Sequence, residues 1–253
     1  MPSNSVEELM PLAGIHSVRL ALRQGGKNIR ELWLDNRRRD RRLAELVALA
    51  RQAGAGLRQV TVEDLERAAP GLNHQGVLAW ALAPAKRGEE DLNAILDGLR
   101  VPPFLLVLDE VQDPHNLGAC LRTADAAGIQ AIIAPRDQAV GLTPSVAKVA
   151  SGAAETVAYI QVTNLARTLD VLKARGIWVI GLAGEAETDF FSLDLRGPIA
   201  FVLGGEGRGL RRLTRERCDY LARLPMLGSV ESLNVSVAAG VCMFEALRQR
   251  LKG

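Results

Sequence analysis

From residue 101 onward, short apolar runs alternate with amphipathic stretches, and this alternation restricts the fold more than any other feature of the chain. Phe104 to Leu108, Gln130 to Ala134, Trp178 to Leu182 and Ile199 to Leu203 have the length and continuous apolarity of buried strands. Between and after them, Leu117 to Ala127, Leu165 to Ala174 and Val235 to Leu251 carry apolar residues at helical spacing. Strands apolar on both faces, joined by helices, predict a mostly parallel sheet with helices on both sides, a doubly wound α/β domain.

The preceding part reads as a smaller α/β module. Ile15 to Leu22, Leu43 to Ala53 and the short stretch Val62 to Ala69 have helical patterns, while Glu31 to Leu34 and Gly76 to Trp80 read as strands. The segment Ala83-Pro84-Ala85-Lys86-Arg87-Gly88-Glu89-Glu90-Asp91 packs charges around a Pro and a Gly directly after an apolar run, which marks a boundary. The expected organisation is an N-terminal domain over residues 1–83, a linker over 84–100 and a C-terminal domain over 101–253.

Composition excludes several classes. With 31 Lys+Arg against 29 Asp+Glu and 48% hydrophobic residues, the chain has the balance of a globular protein and not of a disordered one. No apolar run approaches the ~20 residues of a membrane helix. Met1 to Leu12 contains two Glu and no basic residue ahead of an apolar core, unlike a secretory or transit peptide, so the expected location is the cytoplasm. Cys120, Cys218 and Cys242 lack a C-x-x-C pair, and only His16, His74 and His115 accompany them, so no metal site is expected. In the N-terminal part, Arg37, Arg38, Arg39, Arg41 and Arg42 are interrupted only by Asp40. Such a cluster suits phosphate contacts, and reads equally as a solvated charged turn.

Ligands of open α/β sheets sit beyond the carboxyl ends of the strands, which singles out three stretches. The first runs from Leu108 through Asp113-Pro114-His115-Asn116-Leu117-Gly118 to Arg122, with Asn116 a plausible helix N-cap and Arg122 on a helix expected to be buried. In the second, the run Phe201-Val202-Leu203 leads into Gly204-Gly205-Glu206-Gly207-Arg208-Gly209. This loop lacks the G-x-x-x-x-G-K-[ST] of a phosphate-binding loop and does not complete G-x-G-x-x-G. The third runs from Leu224-Pro225-Met226 through Ser232-Leu233-Asn234-Val235-Ser236 into a helix that Ser232 or Asn234 can cap.

Together and in this order, the three stretches resemble the motifs of the SpoU (TrmH) family of SPOUT RNA 2′-O-ribose methyltransferases. D-P-x-N-x-G-x-x-x-R is matched at Asp113 through Arg122, G-x-E-x-x-G at Gly204 through Gly209, and the terminal motif at Pro225-Met226 and Ser232 through Ser236. Ala124 to Gly128, Lys148 to Glu155 and Val162 to Thr168 extend the likeness, and Gly14-Ile15-His16 with His74-Gln75-Gly76 is similar to the family's substrate-binding N-terminal domain.

The resemblance implies a C-terminal SPOUT domain whose last segment threads a trefoil knot, with S-adenosylmethionine as cofactor. It implies a catalytic set of Asn116, Arg122, Glu206, Ser232 and Asn234, and cofactor contacts from Gly204, Leu224, Met226 and Leu233. It also implies a homodimer, with Val237, Val241, Phe244 and Leu247 of the last helix facing a partner. Within the family the likeness is to enzymes acting on a guanosine of 23S ribosomal RNA, in the P loop of the peptidyl-transferase centre. A transfer-RNA substrate and a non-catalytic, ribosome-associated RNA-binding protein stand as alternatives, and a dinucleotide-dependent oxidoreductase is disfavoured by the late, incomplete glycine loop. Since a guanidinium stays protonated in proteins, the expected work of Arg122 is to hold a phosphate or a developing alkoxide, with Glu206 orienting it and Asn116 and Ser232 fixing the ribose.

Overall fold

The computed structural model describes residues 9–23, 26–82, 87–205 and 207–252, and these divide into two compact units, Met1–Ala85 and Lys86–Gly253. In the first unit, β1 (Leu9–Ala13), α1 (Ile15–Arg23), β2 (Ile29–Asp35), α2 (Arg41–Gln52), β3 (Gly56–Val60), α3 (Val62–Ala68) and β4 (Val77–Leu82) follow one another. The sheet order is β1-β4-β2-β3, with β2 antiparallel to β4 and parallel to β3. Its core lies where Val18, Leu22 and Leu46 of α1 and α2 meet Leu32, Leu34 and Val77 of the sheet, and α3 covers part of the other face through Leu65. The strands β1 and β3 escape a periodicity reading for a shared reason. Both are edge strands: β1 carries Pro11, tolerated where no partner needs its missing N–H, and β3 exposes all of its residues but Val60.

The second unit begins with α4 (Glu89–Gly98) and continues through β5 (Phe104–Asp109), α5 (Pro114–Ala127), β6 (Ala131–Pro135), α6 (Pro144–Ala150), α7 (Ala153–Thr156), β7 (Ala158–Val162), α8 (Leu165–Ala174), β8 (Trp178–Leu182), β9 (Thr188–Asp189), β10 (Ile199–Gly204), α9 (Arg212–Arg217), β11 (Tyr220–Arg223) and α10 (Val235–Lys252). Seven strands lie in the order β7-β6-β5-β10-β8-β11-β9, and every neighbouring pair is parallel. The expected parallel sheet with helices on both faces is therefore present. Along the central strands alternate residues serve opposite cores: Leu106, Leu108, Phe201 and Leu203 pack toward α5, α6 and α10, whereas Leu105, Val107, Ala200 and Val202 pack toward α4 and α8.

The stretch 84–100, expected to be a linker, contains α4 instead. Its residues 84–86 lie outside the described residues, but Leu92 and Leu96 of α4 are buried against Leu105, Val107 and Ile160. Glu89, Glu90 and Asp91, which resemble a solvated charge run, form the first turn, where the partial positive charge of a helix N-terminus favours acids. Asp91 also accepts from the Gly88 amide at 2.8 Å.

The three cysteines are free, with Cys120 and Cys242 buried between α5, α10 and the sheet. Burial pushes the Cys120 thiol up to about 12. Among the described residues no helix is long and apolar enough to cross a membrane.

Helix α10 is stapled to the sheet at its last turn. The Arg250 guanidinium donates to the carbonyls of Leu195 at 3.2 Å, Pro102 at 3.3 Å, Pro103 at 3.1 Å and Gly197 at 2.5 Å. It also lies 4.3 Å from the Phe104 ring centroid. A cation bonds these loop carbonyls, of which Pro103 also accepts from the Ile199 amide at 2.9 Å, and packs on an aromatic face. Arg250→Met keeps the stem and strips the donors, so we expect a loss of about 2 kcal/mol, read as a fall of about 4–8 °C in Tm by calorimetry.

Candidate active site

The three sequence stretches converge at the carboxyl ends of β5, β10 and β11. Gly204 lies in register with Asp109, so the end of β10 sits directly beside the end of β5. Glu110 then takes a left-handed backbone, φ 64°, and turns the chain toward α5. That helix starts earlier than expected. Asp113, not Asn116, is its N-cap, accepting from the His115 amide at 2.9 Å, and Pro114 occupies the first turn, where its missing N–H costs nothing. Asn116 is thereby carried into the helix and buried.

A buried amide needs a partner, and Asn116 finds one far away in sequence. Its Oδ1 accepts from Nδ2 of Asn234 at 2.9 Å. Asn234 in turn accepts from the Ser236 amide at 3.0 Å and the Ser236 hydroxyl at 2.6 Å, which makes it, and not Ser232, the cap of α10. One side chain thus joins the amino ends of α5 and α10. Two helix N-termini face the same region, where their unpaired N–H groups favour anionic or polar ligands.

Arg122 lies on the exposed side of α5 and not the buried side. It has no hydrogen bond or ion pair to another described residue, so its charge stays solvated and free to engage a ligand. Glu206 is outside the described residues. Leu224 and Met226 are half-buried, just beyond β11, while Ser232 and Leu233 are exposed on the segment leading into α10. Leu224 packs against the core facing α5 and α10.

The glycines of the two motifs serve tight packing. A Cβ on Gly204 would sit 2.0 Å from the carbonyl carbon of Gly209, and one on Gly205 would sit 2.6 Å from the Glu110 carbonyl oxygen. Gly207 and Gly209 have φ of 80° and 65°, backbone that favours glycine. In the first motif, a Cβ on Gly118 would meet Cβ of Val149 at 2.5 Å, so that glycine lets α6 approach α5.

Sequence reasoning missed Asp109 and Arg211. Asp109 has no solvent exposure, and its carboxylate accepts from Arg211 Nε at 2.7 Å and from the Arg211 backbone N–H at 3.0 Å, with Nη2 in ion-pair contact at 2.6 Å. An acid closing an apolar strand was the available signal. Its partner, 102 residues away, is identified only by the pairing of β5 with β10.

In the N-terminal unit, the arginine cluster divides. Arg38 is half-buried, bound to Asp40 and to the Gln75 carbonyl, and its Cδ lies where a Cβ on Gly76 would intrude. Asp40 caps α2, accepting from the amides of Arg42 and Leu43. Arg37, Arg39, Arg41 and Arg42 remain exposed.

Removing the shared cap tests the link between the helices. Asn234→Ala should cost about 1–2 kcal/mol in urea denaturation, and Asn234→Asp, which can still accept from Ser236, should regain most of it.

Residues 103–244 match the model of the SpoU rRNA Methylase family, and residues 11–84 match that of RNA 2′-O ribose methyltransferase substrate binding. The chain is 56% identical to the 23S rRNA (guanosine-2′-O-)-methyltransferase RlmB of Ralstonia nicotianae, covering 94% of this chain and 95% of the relative. The RlmB of Pseudomonas syringae pv. tomato is 53% identical, covering 97% and 98%. Among solved structures, the SpoU methyltransferase AviRb of Streptomyces viridochromogenes, in complex with the cofactor AdoMet, superposes with a TM-score of 0.79 at 27% identity, covering 97% of this chain and 92% of that one. The TrmH/SpoU tRNA modifying enzyme of A. aeolicus matches with a TM-score of 0.55 at 28% identity, over 65% of this chain and 84% of its own. Motifs, fold and relatives agree: the chain belongs to the SpoU rRNA methylase family.

Proposed function

We propose that the protein transfers a methyl group from S-adenosylmethionine to the ribose 2′-hydroxyl of one guanosine in 23S ribosomal RNA, in the P loop of the peptidyl-transferase centre, in the cytoplasm. The observations that carry the reading are the Asn116–Asn234 bond, which joins the first and third motifs, and the register of Gly204 with Asp109, which sets the glycine loop beside the strand that leads into the first. Ribosomal RNA is favoured over transfer RNA because the ribosomal relatives match over 94% and 97% of the chain, whereas the tRNA enzyme matches over 65%. An intact polar set beside the glycine loop argues against a purely binding role.

The residues fit such a cofactor. Gly204 has no side chain to obstruct the returning backbone at Gly209, which lets the loop close at the end of β10, and half-buried Leu224 and Met226 with exposed Leu233 offer an apolar wall. When bound, S-adenosylmethionine supplies an electrophilic methyl on a sulfonium, and the protein is left with alignment and electrostatics. Asn116 and Asn234, locked to each other, present fixed amides to the ribose. Arg122, solvated on α5, holds the adjoining phosphate or the developing alkoxide, with Glu206 orienting it and Ser232 completing the polar rim. The exposed Arg37, Arg39, Arg41 and Arg42 contribute phosphate contacts in the N-terminal domain, and Arg38 serves the fold of that turn.

Labelled methyl transfer to protein-free 23S ribosomal RNA, with site mapping, should place a single 2′-O-methylguanosine in the P loop. Arg122→Ala should lower turnover by about 10²-fold or more, and Arg122→Lys should remain well below the parent because an ammonium lacks the planar fork. Modification of transfer RNA alone would overturn the substrate, and full activity of Arg122→Lys would overturn the bidentate role.

The reading includes a knotted C-terminal passage and a homodimer. Support for the dimer comes from α10, which buries Val235, Ala239, Cys242, Met243 and Ala246 yet exposes Val237 and Phe244 on another side, with Val241 and Leu247 half-buried. A helix apolar on two sides suits a second apolar surface. Phe244→Glu should halve the mass measured by sedimentation equilibrium; an unchanged mass would remove α10 from the interface.

A further inference from the structure

Outside the motif residues, one charged pair is placed to control the site. The glycine loop leaves the sheet at Gly204 and returns at Arg211, and both feet stand on the same residue. Gly204 is in β-register with Asp109, and the Asp109 carboxylate holds the Arg211 backbone N–H at 3.0 Å and its guanidinium at 2.6 and 2.7 Å. Between the feet the loop is fastened by a bridge from Gly205 to Gly209, with the Gly209 amide 3.2 Å from the Gly205 carbonyl. Arg211 also reaches Glu110 at 3.6 Å, three residues before the first motif begins at Asp113.

We infer that Asp109 and Arg211 form a positioning pair that holds the two feet of the glycine loop in the geometry that binds cofactor. The inference rests on the methyltransferase reading for the identity of that cofactor. A carboxylate with no exposure is costly unless it is paired, so a pair retained here needs a return. Anchorage supplies one: the guanidinium on one carboxylate oxygen and the backbone N–H on the other together fix the direction in which the chain leaves the loop, which a hydrophobic contact would not.

This separates positioning from mere stability. Buried ion pairs can be exchanged for apolar residues of similar size with little loss of stability. The full-length double variant Asp109→Leu/Arg211→Met should therefore stay folded, with a Tm lowered by only the few degrees that the unpartnered Arg211 N–H costs. We expect it to bind S-adenosylmethionine about tenfold or more weakly by calorimetry, with kcat reduced, KM for RNA unchanged and amides 204–211 exchanging hydrogen faster. Parental cofactor affinity and parental exchange in a stable double variant would overturn the pair's role.

Arg211→Lys decides the matter should the double variant fail to fold. It keeps the charge opposite Asp109 and loses the fork, so weaker cofactor binding and faster loop exchange are expected. Parental values of both would refute the inference. A parent protein that binds no S-adenosylmethionine would overturn the proposed reaction, while loop exchange would still report on the pair.

Discussion

A carboxylate buried at the end of a central strand is the constraint around which the catalytic edge of this protein is arranged. Asp109 is closed off from water, so it must be paired, and its partner comes from the far side of the glycine loop. Pairing β10 beside β5 puts Gly204 next to that acid, and the absence of side chains at Gly204 and Gly205 lets the loop fold back against Gly209 and Glu110. The turn into α5 begins one residue later, at Glu110. Two of the three motifs are therefore consequences of the same local geometry.

The third motif enters through α10, which spans the sheet from its functional edge to the opposite one. At the first end Asn234 caps the helix and holds Asn116; at the other, Arg250 binds four loop carbonyls and packs on Phe104. Between them Ala239, Cys242 and Met243 are buried against α5 and the sheet. A helix anchored at both ends and along one side gives the Asn116–Asn234 contact a fixed position, which alignment of a ribose requires.

Several elements were legible from pattern alone, and the exceptions share physical causes. The strands β5, β8 and β10 read correctly because both faces are buried, which leaves continuous apolar runs. Edge strands β1 and β3 did not, since one side meets solvent and the apolar signal fades. Helix α4 reads as a linker in the sequence because its acidic first turn mimics a solvated charge run. In α5 the competition between Asp113 and Asn116 as caps was settled by Pro114, which starts the helix one position after Asp113 and so turns Asn116 inward. Arg122 is exposed because α5 turns Leu117, Cys120, Leu121 and Ala124 to the core and Arg122 away from it.

By itself, the sequence determined the α/β class, the parallel sheet, the family and the residue types of the site, because these follow from periodicity and from short motifs whose members are near one another. The tertiary structure decided which residues meet. The Asn116–Asn234 bond spans 118 positions and the Arg211–Asp109 pair spans 102, and neither partner carries a local signal naming the other. Such contacts depend on strand order and on helix phase, which are set by how buried surfaces pack and not by any stretch of chain read alone.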